Sequence, residues 1–582
     1  MTEPTRSTLS DDDVKAIESD IDASFAAVDF PNVDDLEAQR LVCTLYEIIY
    51  LSIVEESANK LKSDDFGSVM SDLIIRLDAL KYAFRNRLRL ASKSKGIAQD
   101  FRRSRAEHIS TMENVVSASL QYERASRIFY EYHNGGITLY KGDDDVIYTS
   151  ETEIDTRFHA LEFSVHAASR RANAFTFFVL CFVGNKVKLA DGTEVSWREE
   201  FKSVASRATE RKGLIRYNLI TVLAKPLYET FLHETELLID SWYFPWGNMQ
   251  ETASFFASLS AIGLYHLISI HEGAKKARLD DGGAAQICYI NNIKNLETDI
   301  CRISGLSIKA TRAMIEAFTY GHMTRTPDPV LQPLMPIGND QIAFPSTMFL
   351  SSNWPRNVLS LHARVSPATF DAHSEVFEKG MIAGLTNTLE KKFDVSSNVF
   401  FSTPDGPEEV DLVVKQRDKN TALLCELRWM LQPGDPGEVQ NRLKAIRRKV
   451  SQIDRKYERI NRAKHVKSIV YLPIVIIDGY GGIQSPVPTK IPIVNMHILE
   501  KILDRKSDIE FAHAFLCTPN WLPRLGRDFE IVRDTDELCG ISFSQTGIRP
   551  MGNRYVEESL DAYIDEIDHL TVDEIKSIRW PH

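Results

Sequence analysis

Through most of the first 320 residues, apolar positions recur every three to four residues, the spacing of a buried helix face. The runs 32–61 (NVDDLEAQRLVCTLYEIIYLSIVEESANKL), 68–88 (SVMSDLIIRLDALKYAFRNRL) and 225–244 (KPLYETFLHETELLIDSWYF) carry this pattern and hold almost no proline. Turn signals stand at Asn134-Gly135-Gly136, Asp191-Gly192 and Asp281-Gly282-Gly283. Short β elements are expected near 136–150 and 185–195. No repeat of fixed period is visible.

The pattern changes after about Thr324. The segment 326–336 (TPDPVLQPLMP) contains four prolines and reads as a linker. Beyond it, strand-like and helix-like runs alternate. QIAFPSTMFL (341–350) looks extended, and HSEVFEKGMIAGLTNTLEKKF (373–393) is an amphipathic helix. EEVDLVVKQ (408–416) and TALLCELRWM (421–430) look like paired strands. A long basic helix covers about 438–464, SIVYLPIVIID (468–478) is a strand, and KIPIVNMHILEKIL (490–503) runs from strand into helix. The expected fold class is α+β and multidomain. A mostly α-helical region (1–325) precedes a C-terminal α/β domain (340–540) and a tail with a helix (541–582).

Composition narrows the class. With 43% hydrophobic and 26% charged residues the chain reads as globular. A net charge of −12 argues against an overall nucleic-acid coat, but a local basic groove remains compatible with it. Seven widely spaced cysteines with no CxxC argue against a disulfide framework or a zinc ribbon and point to a reducing compartment. The polar, acidic N-terminus is not a signal peptide. The apolar run 254–270 (SFFASLSAIGLYHLISI) is too short and interrupted for a membrane span and is expected as a buried helix. These features predict a cytoplasmic protein without a membrane partner.

The chemistry concentrates in the paired strands. Alternation puts Leu424, Glu426 and Arg428 on one face of the second strand. The polar segment Arg417-Asp418-Lys419-Asn420 suits a tight turn. A two-residue loop at Asp418-Lys419 sets Asp411 opposite Glu426, with Cβ atoms about 5 Å apart. Two carboxylates so close repel each other unless a cation lies between them, and magnesium is a fitting one. That is the requirement of metal-assisted phosphodiester hydrolysis. Arg428, two residues on, can neutralise developing charge, although a guanidinium is a poor base. Glu375 and Glu378 on the preceding helix are further acids, Glu378 the preferred one.

The order Glu378 … Asp411 … Glu426-Leu427-Arg428 resembles the PD-(D/E)xK nuclease superfamily, over roughly 340–510. The resemblance implies a restriction-endonuclease-like domain, with Asp411 and Glu426 as ligands of Mg2+ (Mn2+ can substitute) and Leu427 giving a backbone carbonyl. In that family a lysine stands where this chain has Arg428, a departure that bears on catalysis more than on fold. The family also often carries a polar or basic residue on the next helix, for which Gln440, Lys449 and Gln452 are candidates.

The basic helix makes a local positive patch, with Arg442, Lys444, Arg447, Arg448, Lys449 and Gln452 as the nucleic-acid-binding candidates. A second basic run from Arg85 to Arg105 could extend it. His233-Glu234 and His271-Glu272 lack the second histidine of a zinc-protease motif, and no GxSxG or phosphate loop occurs. The expected function is a magnesium-dependent endonuclease acting on nucleic acid, DNA foremost, in restriction or anti-phage defence by analogy of fold. The helical region would recognise substrate, sense a signal, or bind a partner protein or a second copy. The alternative is a nuclease-fold protein that has lost turnover and serves as a nucleic-acid-binding or assembly scaffold.

Overall fold

The computed structural model describes residues 6–29, 35–60, 106–150, 156–161, 187–188, 194–195, 207–211, 214–233, 242–279, 283–325, 327–431, 436–463, 469–478, 490–551 and 559–578. Over these it is a mixed α and β protein with several sheets. One contiguous apolar core runs from Leu41 and Tyr46 through Phe256 and Phe344 to Leu424, Ile476 and Ile564. Residues on either side of position 325 therefore share one core. The 68–88 run and the Arg85–Arg105 basic run lie outside the described residues.

Two helices organise the first part. Helix α1 spans Asp35–Lys60 and helix α2 spans Met249–Ala277. Helix α2 contains the 254–270 apolar run and is buried along most of its length. It begins at a capping box between Asn248 and Glu251, which satisfies the first backbone N–H groups. Among the described residues it is the helix long and apolar enough to cross a membrane, and its apolar stretch is mostly buried inside the protein. A Cβ at Gly263 would stand 2.9 Å from Ser346 Cβ, so only glycine lets the helix Ser346–Ser351 lie this close to α2.

Glu47 of α1 is wholly buried. Its carboxyl group accepts from the Ser346 and Thr347 backbone N–H groups and from the Thr347 hydroxyl. Burial pushes its pKa up from 4.5 to about 8, against the opposing pull of those hydrogen bonds. Between these two values the unfolded chain loses a proton that the folded chain keeps. Stability from this group is thus full below about pH 4.5 and lost as pH rises toward about 8, at about 1.4 kcal/mol per pH unit. Glu47→Gln is expected to remove that slope. Urea midpoints of variant and wild type at pH 5 and pH 8 check it: the difference should move in the variant's favour at pH 8. A difference equal at both pH values would show Glu47 ionised in the fold.

Two expectations are corrected here. The proline-rich 326–336 segment is not an exposed linker: Asp328, Leu331, Gln332 and Leu334 are buried. The Gln332 amide donates to the carbonyl oxygens of Ala317 and Thr319, which fastens the segment to the helix Ile308–Phe318. The 541–582 stretch, expected as a tail with a helix, carries helices at Leu560–Ile567 and Val572–Ser577 but opens with a strand. Ile541–Pro550 pairs along its length with Phe529–Leu538 and runs parallel to Ile147–Ser150, beside Thr138–Gly142 and Arg6–Thr8. The two ends of the chain share one five-stranded sheet. The hairpin Thr138–Gly142 and Ile147–Ser150 and the short pair Val187–Lys188 with Glu194–Val195 stand where strands were expected.

The sheet that carries the candidate chemistry has five strands in sequential order: β1 (Asp394–Thr403), β2 (Gly406–Lys415), β3 (Thr421–Arg428), β4 (Val470–Ile477) and β5 (Ile493–Asn495). β1–β2–β3 are antiparallel; β3–β4–β5 are parallel. Helix α3 (Pro367–Leu389) precedes the sheet, and helix α4 (Pro436–Arg462) makes the crossover that a parallel β3–β4 pair requires. β3 is buried from Thr421 to Leu427, as suits a central strand covered on both faces. β1 was not expected. It is an edge strand exposed over most of its length: Val395, Val399 and Phe401 are half-buried on one face, but Ser397 interrupts that face and Phe400 is exposed on the other, which breaks the apolar pattern. QIAFPSTMFL is strand only over Gln341–Phe344; the rest turns into a helix.

Candidate active site

The β2–β3 hairpin pairs Lys415 with Ala422 and Leu412 with Cys425, the register counted from a loop at Asp418-Lys419. One further step sets Asp411 against Glu426. There the strands fork. β3 continues alongside β4 as far as the pair Arg428 and Ile477, while β2 from Val410 to Gly406 pairs with β1. At the fork the Asp411 side chain replaces the ladder: its Oδ2 accepts the Leu427 N–H at 2.8 Å. Across β2, Asn398 takes a left-handed φ of 50° between the pairs Ser397–Leu412 and Val399–Val410. The regular ladder is thus interrupted on both sides of Asp411.

Glu426 is wholly buried. A carboxylate there needs cationic partners, because the cost of leaving water is otherwise unmet. Helix α4 brings two. Lys449 Nζ lies 3.2 Å from Glu426 Oε2 and 3.4 Å from Asp411 Oδ2. Lys456 Nζ donates to Glu426 Oε1. The two lysines are seven residues apart, two helical turns, and so share one face. Burial, then the Asp411 charge, raises the pKa of Glu426, and the two lysines offset this only in part. Burial works to lower the Lys449 pKa, but the charges of Asp411 and Glu426 prevail and hold it above the usual lysine value.

Arg428 leaves this pair. Its Nη1 donates to Glu378 Oε1 of α3 at 2.8 Å, an ion pair at the rim of the cluster. Glu375 is exposed, and no hydrogen bond or ion pair among the described residues ties it to the cluster. The structure thus gathers Glu378, Asp411, Glu426, Leu427, Arg428 and Lys449, and adds Lys456. Lys456 lies within the basic helix expected over about 438–464 but was not among its named candidates. Its seven-residue spacing from Lys449 was the available signal.

The basic helix is divided by its packing. Arg442 was expected on phosphate but is buried, with Nη2 donating to the Asp478 carbonyl at 2.7 Å. Gln440 is also buried. Arg459 is turned inward onto Glu408 and, at 3.7 Å, Asp405. Lys444, Arg447, Arg448 and Arg455 are exposed, and Gln452 is half-buried.

Among the described residues no group of three or more His, Cys, Asp or Glu side chains could hold a metal. A smaller oxygen set remains at the fork. Asp411 Oδ1 accepts no hydrogen bond among the described residues, and a quarter of the side chain is exposed. A residue's N–H and C=O leave a strand on the same edge. Because the Leu427 N–H points at Asp411, its carbonyl also faces the fork. Two carboxylates and a carbonyl are hard donors suited to magnesium. Lys449 occupies the gap between the carboxylates with its ammonium, so a cation bound there competes with it.

No protein-family model matches this chain, and no curated protein or solved structure matches it either.

Proposed function

We propose that the Asp411–Glu426 fork is the active site of a magnesium-dependent endonuclease, carried on a restriction-endonuclease-like C-terminal domain and hydrolysing phosphodiester bonds of DNA. The observation that supports this reading best is Lys449, whose ammonium bridges the two strand carboxylates. The family pattern asks for a lysine beside that pair. Here it comes from helix α4, while Arg428 serves the rim by holding Glu378.

In this reading Asp411, Glu426 and the Leu427 carbonyl hold the cation. Magnesium, or manganese in its place, would supply Lewis acidity and a water of lowered pKa. Lys449 donates hydrogen bonds to a phosphate oxygen as its charge grows. Lys456 favours the ionised form of Glu426 against the opposing effect of burial. Lys444, Arg447 and Arg448 lie exposed on the same helix and meet the phosphate backbone, fixing position without reading sequence. The helical region selects the substrate or receives a signal, in the cytoplasm, in a role consistent with restriction or anti-phage defence.

A second reading has its own support. Both Glu426 oxygens already face ammonium groups, a neutralised cluster that holds together without metal. That favours a nuclease-fold scaffold that binds nucleic acid without turnover. Cleavage of supercoiled plasmid and single-stranded DNA, with magnesium and then manganese, separates the two. Metal-dependent cutting that Asp411→Asn and Glu426→Ala both reduce is the expected result. Salt-sensitive DNA binding with no cutting under either metal would sink the nuclease and leave the scaffold.

A further inference from the structure

The end of β3 meets helix α3 through two adjacent contacts. Arg428 pairs with Glu378 at 2.8 Å. The next residue on one side and the preceding residue on the other, Trp429 and Phe377, stack with ring centroids 4.3 Å apart and planes within 8°. One contact alone would let the helix swivel about it. Two at neighbouring positions set both the distance and the rotation of α3 against the strand that carries Glu426.

The helical region closes this clamp. Trp242, almost wholly buried, packs its indole 4.8 Å from Phe377, 5.7 Å from Phe370 and 6.4 Å from Trp429. Its Nε1 donates to His362 Nδ1 at 3.0 Å. The other ring nitrogen of His362, Nε2, lies 3.0 Å from the Thr369 hydroxyl in the first turn of α3. Burial, then the neighbouring His373, pushes the His362 pKa down to about 4, so the ring is neutral at neutral pH; because an indole N–H can only donate, Nδ1 is the nitrogen without a proton. A single side chain from the helical region is therefore fixed at its polar end and wedged against both aromatic halves of the clamp.

We propose that Trp242 is a positioning residue through which the helical region sets the geometry of the Glu378–Arg428 rim and, with it, the end of β3 at the fork. Binding or assembly in the helical region that moves Trp242 then changes the site without touching it. The consequence for cutting rests on the nuclease reading; the geometric coupling does not. A shift of about 1 Å in a supporting contact is enough to change turnover by about a hundredfold.

Amide hydrogen exchange on the full chain, read by mass spectrometry, tests the coupling without any activity. In Trp242→Ala, peptides covering 376–379 and 427–430 are expected to exchange about tenfold faster than in wild type, while those from β4 (470–477) stay unchanged. The Leu427 amide is the most direct reporter, because it is bonded to Asp411. Trp242→Phe keeps a ring but lacks the donor to His362, and should give a smaller change in the same two peptides. It serves if the alanine variant does not fold. Unchanged exchange at 427–430, or acceleration that spreads equally into 470–477, overturns the proposal in favour of plain core packing. Where wild type cuts DNA, Trp242→Phe should lower kcat with KM unchanged; a change in KM alone also overturns it. Coupled exchange in a protein that never cuts keeps the positioning role and rejects the nuclease.

Discussion

Lys456→Met is expected to destabilise the protein by about 1.5–3 kcal/mol at neutral pH, the cost of losing one charge-assisted hydrogen bond to a buried carboxylate that then has Lys449 alone to balance it. Glu426 is wholly buried, and Lys456 is nearly so. Methionine fills much the same volume, so packing changes little and the loss is electrostatic. The pH dependence identifies the cause. The pKa of Glu426 is already raised by burial and by Asp411, and removing a cation raises it further. A carboxyl group with a raised folded pKa costs nothing below its unfolded value of about 4.3 and progressively more above it. The variant should therefore lie nearest to wild type in acid and fall behind as pH rises. Urea denaturation at pH 5 and pH 8 decides: a deficit that does not grow with pH would mean Lys456 acts through packing alone.

Lys449→Met is expected to split two properties that a damaged site would lose together. Cutting should fall by about 10²–10³-fold, the usual cost of removing a group that meets developing charge. Divalent-cation affinity should rise by about tenfold or more, because an ammonium near both carboxylates no longer competes with the ion. Titration with manganese or calcium, followed by calorimetry or by the rise in melting temperature, measures the second effect without any turnover. Tighter cation binding with lost cutting supports the metal site and assigns Lys449 to the chemistry. Affinity that stays level or falls would show that Asp411 and Glu426 form no cation site, and the closed ion cluster would then be structural. Asp411→Asn is the control, since it should weaken cation binding.

Part of this site is legible in the sequence. The hairpin register followed from a polar turn at 417–420 between two apolar runs, because strand pairing is a matter of counting once the turn is placed. The Asp411–Glu426 facing pair and the helices on either side came with it. The edge strand β1 is not legible: most of its length lies in water, and Ser397 and the exposed Phe400 break the alternation of Val395, Val399 and Phe401. The buried 326–336 segment was misread because proline reports only what a backbone cannot do. It does not say whether the core covers it, and here Gln332 holds it to neighbouring carbonyls.

The roles of the cations divide along the same line. Sequence spacing puts Arg428 on the face of Glu426, where it is expected to neutralise developing charge, because residues two apart on a strand share a face. It also marked α4 as basic. Which of those side chains turn inward depends on how the crossover helix lies on the sheet. That angle is set by apolar contacts far apart in the chain. Packing sends Lys449 and Lys456 onto Glu426, takes Arg442 to the Asp478 carbonyl, and leaves Lys444, Arg447 and Arg448 in solvent. The sequence by itself determined the local elements, the hairpin register and the presence of two facing acids, since periodicity and turn chemistry act over a few residues. Only the tertiary structure decided which cation meets those acids, that Arg428 belongs to Glu378, and that Trp242 braces the rim, because each is a contact between segments whose meeting depends on the whole core.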